Sequence, residues 1–156
     1  MKKLLFVCMG NICRSPAADI VMTSLVKKEG LEDQFEVDSA GTIGFHEGKG
    51  PDPRMSRTLE ARGYEVFGRS RPVRVEDFDE FDLILAADCE NVSDLERLAR
   101  TREDHEKIRL LCDYAENHDE SEVPDPYYGG DAGFEYVADL VEDACTGLVA
   151  QYRARE

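Results

Sequence analysis

The sequence has few histidines and no CxxC pair of cysteines. Its three histidines, His46, His105 and His118, are far apart in the chain and do not predict a metal site. The five cysteines include no CxxC pair, which argues against a structural zinc site and against a disulfide scaffold. We therefore expect no metal and no other cofactor. The thiols are expected to serve packing or reactivity in a reducing compartment.

Long apolar runs and an excess of basic residues are also missing. The first apolar run, Leu4 to Val7, is too short for a signal peptide or a membrane span. Lys and Arg number 19 against 34 Asp and Glu, which gives a formal net charge of −15. Such a surface repels nucleic acid and anionic lipid. We expect a cytoplasmic protein, mostly a monomer, with no nucleic-acid or membrane partner.

Short apolar runs alternate with amphipathic segments along the whole chain. Strands are predicted at 4–7, from 35, at 81–86 and at 108–111, and helices from 15, at 53–62, 92–98 and 134–152. This alternation predicts a single α/β domain over residues 1–156, doubly wound, with a four-stranded parallel sheet and helices on both faces. Ser15 is expected to cap the first helix and Pro16 to begin it. The glycine- and proline-rich segment 41–53 is expected to be a long loop.

The segment between the first strand and the first helix has the features of an oxyanion site. Ligands of such sheets bind beyond the carboxyl ends of the strands, and helix N-termini attract anions. Gly10 and Asn11 tolerate the positive φ that a curled loop requires, so successive amides can point inward as a nest. Five residues separate Cys8 from Arg14. In a curled loop this spacing puts the thiol at the floor and the guanidinium at the rim.

These positions suggest nucleophilic chemistry on a phosphate ester. The positive surroundings favour a Cys8 thiolate, and Arg14 can hold two phosphate oxygens in bidentate fashion. The Ser15 hydroxyl can donate a hydrogen bond to the sulfur, and we expect the Asn11 amide to brace the loop. A structural alternative is a buried strand-end cysteine next to a helix cap.

The loop from Cys8 to Pro16 resembles the signature loop of the low-molecular-weight protein tyrosine phosphatases. The resemblance extends to Asp38-Ser39-Ala40-Gly41, Pro51-Asp52-Pro53-Arg54 and Asp125-Pro126-Tyr127-Tyr128. It implies hydrolysis of phosphotyrosine in proteins through a cysteinyl-phosphate intermediate. It also implies a phosphate-binding loop made of Met9, Gly10, Asn11, Ile12, Cys13, Arg14 and Ser15, with phosphate or another oxyanion in the site.

The same resemblance assigns Asp125 as general acid and base. A phenolate leaving group needs a proton, and a carboxylic acid near the loop can supply it. The resemblance makes Tyr127 and Tyr128 walls of the substrate pocket, and we expect Phe45 to form the opposite wall. Cys13 is expected to be a redox partner that traps oxidised Cys8 as a disulfide, as in family members with this second thiol.

Three other functions fit the sequence less well. An arsenate reductase of the same fold needs a pair of resolving cysteines, whereas only Cys89 follows the third strand. The similar protein arginine phosphatases carry Thr where this chain has Ile12. An inactive phosphotyrosine-binding module would not need Cys8 or Asp125. Gly68 is a departure from the family pattern, because many relatives have a histidine there that supports the loop.

Overall fold

The computed structural model describes residues 1–127 and 129–154 and contains a four-stranded parallel sheet of order β2-β1-β3-β4. The strands are β1 (Lys2–Cys8), β2 (Phe35–Gly41), β3 (Leu83–Ala86) and β4 (Ile108–Leu110). The helices are α1 (Arg14–Lys28), α2 (Pro53–Ala61), α3 (Asp77–Glu80), α4 (Cys89–Leu98), α5 (Arg102–Glu106) and α6 (Asp131–Ala154), and a 3₁₀ turn spans Leu111–Tyr114. This architecture confirms the predicted fold class.

Strand β1 lies in the centre of the sheet and is buried on both faces. Leu4 and Phe6 pack into the larger core with α1 and α6, whereas Leu5 and Val7 pack into a smaller core on the other face. Burial on both faces explains why this strand is a continuous apolar run rather than an alternating one. The strand ends at Cys8, so the sheet fixes the position of the following loop.

The start of α1 differs from the prediction. The helix begins at Arg14, Cys13 occupies the N-cap position, and no side chain caps the helix. The prediction that Ser15 caps this helix is therefore wrong. Its hydroxyl is engaged instead with Cys8 and Asn11, at 3.0 Å and 2.8 Å.

Helix α6 packs along α1 and against the 3₁₀ turn. Gly147 permits this close approach, because a Cβ atom there would lie 1.8 Å from the carbonyl oxygen of Tyr114. Within residues 1–127 and 129–154, no helix combines the length and apolar character needed to cross a bilayer.

Candidate active site

The loop between β1 and α1 leaves its backbone amides unpaired. Asn11 has a φ of 56°, in the left-handed region, which curls the chain at this point. Within the described part of the chain, the backbone N–H groups of residues 9–13 donate to no partner. Five unpaired amides at the start of a long helix form a concentrated set of donors for an anion.

A pocket of about 230 Å³ opens at this loop. It brings together three predicted catalytic residues, Cys8, Arg14 and Asp125, which come from β1, α1 and the segment before α6. The other lining residues are Met9, Gly10, Ile12, Cys13, Ile43, Phe45, His46 and Tyr127. Residues separated by more than a hundred positions in the sequence therefore share one cavity.

Cys8 is buried, and its sulfur lies 3.0 Å from the Ser15 hydroxyl oxygen. That hydroxyl also accepts a hydrogen bond of 2.8 Å from the Asn11 side-chain amide. The Asn11 amide binds the hydroxyl oxygen, so the hydroxyl proton can point toward the sulfur; the Ala40 carbonyl, at 3.4 Å, is a second and longer acceptor. A hydroxyl donor of this kind stabilises a thiolate.

Arg14 is only 4% exposed, and its guanidinium is held from one side. Its Nη1 donates to Asp88 Oδ2 at 2.6 Å and to the Val123 carbonyl at 2.9 Å. Its Nη2 lies 3.8 Å from Asp125 Oδ2. Among the described residues, Nε and Nη2 make no hydrogen bond, which leaves one edge of the fork for two oxygens of a ligand.

Asp125 stands at the pocket mouth with its side chain 39% exposed. Its Oδ1 accepts the backbone N–H of Tyr127 at 3.0 Å, so the carboxylate is held by a tight Asp turn at Pro126. The Tyr127 ring lines the pocket, and the Arg54 guanidinium packs 5.4 Å from its centroid. Tyr128, the second predicted tyrosine, lies outside the described residues.

The remaining pocket walls are mostly apolar. Ile12 and Ile43 line the cavity, and Phe45 is 78% exposed at its mouth. Met9 is also exposed there. Apolar side chains around a polar floor suit a ligand with an anionic end and a flat hydrophobic body.

A hydrogen-bonded network behind the loop holds Asn11 in place. The Asn11 amide donates to the Ser39 hydroxyl at 3.0 Å, and its carbonyl accepts the Arg71 backbone N–H at 3.0 Å. The Ser70 hydroxyl donates to the Gly10 carbonyl at 3.1 Å. Gly68 has a φ of 104°. The 68–71 segment thus supports the loop between β1 and α1 through Ser70 and a backbone amide, without a side chain at position 68.

Cys13 lines the same pocket and is buried. Burial, and then the nearby Asp52 carboxylate, raise the pKa of Cys13 well above the usual range of a thiol. Cys13 is therefore a protonated thiol at neutral pH.

Several contributors to the site carry no local sequence signal. Asp88 binds Arg14 from 74 residues away, and it also caps α4 by accepting the Asn91 N–H at 2.8 Å. Asp19, on α1, is buried and hydrogen bonded to Ser39, which contacts Asn11. Only tertiary structure brings these groups together. In the sequence, Asp88 has the features of an ordinary helix cap and Asp19 those of an ordinary helix residue.

Comparisons with known proteins agree with this geometry. The model of the family "Low molecular weight phosphotyrosine protein phosphatase" matches residues 3–156. A low molecular weight protein-tyrosine-phosphatase of Streptomyces coelicolor is 45% identical over 97% of this chain and 93% of its own.

Solved structures show the same relationship. A crystal structure of a protein tyrosine phosphatase from Entamoeba histolytica, with Hepes in its active site, matches with a TM-score of 0.95 and 44% identity, covering 99% of this chain and 98% of its own. The structure of a Drosophila arginine phosphatase matches with a TM-score of 0.91 and 33% identity over the full length of both chains. The chain belongs to the low molecular weight phosphotyrosine protein phosphatase family.

Proposed function

We propose that this protein hydrolyses phosphotyrosine in proteins through a cysteinyl-phosphate intermediate. The observation that carries the proposal is the position of the Cys8 sulfur in a pocket that also contains Arg14, Asp125 and five unpaired amides. The sulfur would attack phosphorus while the amides and Arg14 hold the equatorial oxygens. Family membership and the names of the relatives support the same reaction.

In the first step, the Cys8 thiolate forms an S–P bond as the bond from phosphorus to the phenolic oxygen breaks. Asp125, in its protonated form, gives its proton to the departing phenolate. Its carboxylate lies within 3.8 Å of the Arg14 guanidinium, and so close to the expected phosphate position. Positioning of the acid by the Asp turn reduces the entropy cost of this transfer.

In the second step, water attacks the phosphorus and the S–P bond breaks. Asp125, now a carboxylate, takes the proton of the water, and Cys8 leaves as a thiolate that Ser15 stabilises by its hydrogen bond. Inorganic phosphate is released and the enzyme returns to its starting state. Apart from the Ser15 hydrogen bond, this step uses the same residues as the first.

The pocket walls favour an aromatic substrate. Ile12, Ile43, Phe45 and Tyr127 offer surfaces on which a phenyl ring can pack, whereas a phosphoserine side chain is too short to fill the space above the sulfur. Ile12 stands where the arginine phosphatases carry Thr, which argues against phosphoarginine. The absence of a cysteine pair near β3 argues against arsenate reduction.

A side-by-side assay tests the proposal. Peptides with phosphotyrosine, phosphoarginine or phosphoserine, and arsenate with a thiol donor, are supplied to the wild type and to Cys8→Ser. We expect turnover of phosphotyrosine alone, and we expect Cys8→Ser to bind the phosphopeptide without hydrolysing it. Preferred turnover of phosphoarginine or arsenate, or activity that persists in Cys8→Ser, would contradict the proposal.

We also propose that residues 1–156 form one phosphatase domain that works mostly as a monomer in the cytoplasm. The two cores share one sheet, which supports a single domain. Cys8 and Cys13 need to stay reduced for catalysis, and this requirement favours a reducing compartment. Sedimentation of the purified protein tests the monomer, and cell fractionation tests the location.

A further inference from the structure

One side of the pocket differs in charge from the rest of the chain. Residues 41–75 contain seven Lys and Arg against four Asp and Glu, a net charge of +3 in a chain of −15. This segment supplies Ile43, Phe45 and His46 to the pocket wall. Part of this charge lies elsewhere, since Arg62 pairs with carboxylates of α6 and Arg71 pairs with Asp38 and Asp77.

Three exposed basic side chains of this segment, Lys49, Arg57 and Arg69, form what we call the basic rim. Within the described part of the chain, none of them makes an ion pair with a carboxylate. Lys49 follows the turn that begins at His46, with its N–H on the His46 carbonyl at 2.9 Å. Arg69 holds the same turn through the Gly48 carbonyl at 3.0 Å.

Arg57 is the third member of the basic rim. It lies on α2, three residues after Arg54, and side chains at this spacing share a helix face. Arg54 itself packs over the Tyr127 ring and is neutralised by Asp52 at 3.3 Å. The unpaired charge in this region is therefore that of Arg57.

The other side of the pocket is acidic. Residues 113–131 contain seven Asp and Glu and no Lys or Arg, and they include Asp125 of the pocket. Two of the exposed members outside the pocket, Glu120 and Glu122, form what we call the acidic rim. They have no basic ion-pair partner among the described residues. Val123 fixes this segment at the site, with its N–H on the Ala87 carbonyl at 2.8 Å and its carbonyl on Arg14.

We propose that these two rims select phosphotyrosines that have acidic residues on one side and basic residues on the other. The inference rests on the proposed function, since it concerns the peptide around the phosphotyrosine. Charges within about 10 Å interact at moderate salt. We expect a bound peptide to place its flanking residues near the basic rim on one side of the phosphotyrosine and near the acidic rim on the other. A uniformly acidic peptide would be attracted by the basic rim and repelled by the acidic rim. A uniformly basic peptide would be attracted by the acidic rim and repelled by the basic rim.

Four phosphotyrosine peptides of equal length test this proposal. Two are mixed, with Glu before and Lys after the phosphotyrosine or the reverse; two are uniform, with Glu or Lys on both sides of it. The measured quantity is kcat/KM, divided by the value for p-nitrophenyl phosphate, which has no flanking residues. We expect the better mixed peptide to exceed both uniform peptides by about threefold to tenfold, as for a few exposed ion pairs. About 0.5 M salt should remove most of the difference.

A charge-reversal variant makes the test specific to the basic rim. In the double variant Lys49→Glu, Arg57→Glu both sides of the pocket become acidic, so the peptide with Lys on both sides should become the best substrate. The control, Lys27→Glu, Lys28→Glu, has the same change in net charge at the far end of α1 and should keep the wild-type ranking. Thermal unfolding of each variant checks that it is folded.

The outcomes separate this inference from the proposed function. If the wild type hydrolyses neither p-nitrophenyl phosphate nor any phosphotyrosine peptide, the proposed function is wrong and the inference fails with it. If it hydrolyses all four peptides equally well, or prefers a uniform peptide, only the inference is wrong. An unchanged ranking in the Lys49→Glu, Arg57→Glu variant would also overturn it.

Discussion

Asp19 is a buried carboxyl group behind the phosphate loop, and replacing it with Asn should change how stability depends on pH. It is 6% exposed and accepts hydrogen bonds from Thr23 and Ser39. Burial, and then repulsion by Asp38, raise the pKa of Asp19 to about 7. Cys145 of α6 and Arg69 are further ionisable groups near this carboxyl.

The sign of the effect follows from proton binding. Between about pH 4 and pH 7 the folded chain keeps a proton on Asp19 that the unfolded chain releases, so the free energy of unfolding decreases as the pH rises. A difference of about three pKa units corresponds to about 4 kcal/mol once both states are ionised. Asn cannot ionise, so Asp19→Asn removes this slope. Relative to that of the wild type, the free energy of unfolding of the variant should therefore rise by up to about 4 kcal/mol between pH 4 and pH 8.

Urea unfolding at several pH values between about 4 and 8 measures this difference. Asp33→Asn is a matched control, because it makes the same substitution at an exposed site. The reasoning is refuted if wild type and Asp19→Asn show the same pH dependence. A variant that loses stability equally at every pH would show that Asp19 acts only through its hydrogen bonds.

Three further predictions concern the site and the fold. Asp125→Asn should slow phenyl phosphate by about 10²- to 10⁴-fold and p-nitrophenyl phosphate much less, because the better leaving group needs no proton; an equal loss for both would place the acid elsewhere. Gly147→Ala should lower the free energy of unfolding by about 2–3 kcal/mol, measured by urea unfolding against Gly130→Ala, where an added Cβ meets nothing within 4 Å. Mild peroxide should oxidise Cys8 to a sulfenic acid, which condenses with the Cys13 thiol to a disulfide and water; mass spectrometry that finds no such linkage would reject this role for Cys13.

The central sheet and the phosphate loop could be predicted because their signals are local. Apolar runs identified all four strands, and the glycine turn next to Cys8 predicted the curled loop. Boundaries were less accurate: the third strand was predicted from Phe81 but begins at Leu83. The sequence does not predict the short helices α3 and α5, because a segment of four or five residues is too short to show a helical period.

Ser15 illustrates why the support of the site could not be predicted. A serine followed by proline favours a helix cap, and this local preference is real. In the fold, the Ser15 hydroxyl accepts a hydrogen bond from the Asn11 amide and also contacts the Cys8 sulfur, and both partners are buried beside it. Hydrogen bonding of these buried groups by Ser15 stabilises the fold more than a helix cap that water could replace. The partners of Asn11 on β2 and on the 68–71 segment depend equally on tertiary packing.

The pocket can be positive although the whole molecule is negative. The ion pairs next to the loop determine this, and the overall composition does not. Arginines next to the loop are tied to carboxylates: Arg14 to Asp88, Arg54 to Asp52, and Arg71 to Asp38 and Asp77. These pairs neutralise acids that would otherwise repel a phosphate dianion. Arg14 uses only Nη1 in its short contact with Asp88. Its other edge, Nε and Nη2, therefore still faces the pocket with its N–H donors. Net charge therefore says little about this site, because the field at the loop depends on which carboxylates are left unpaired within a Debye length of it.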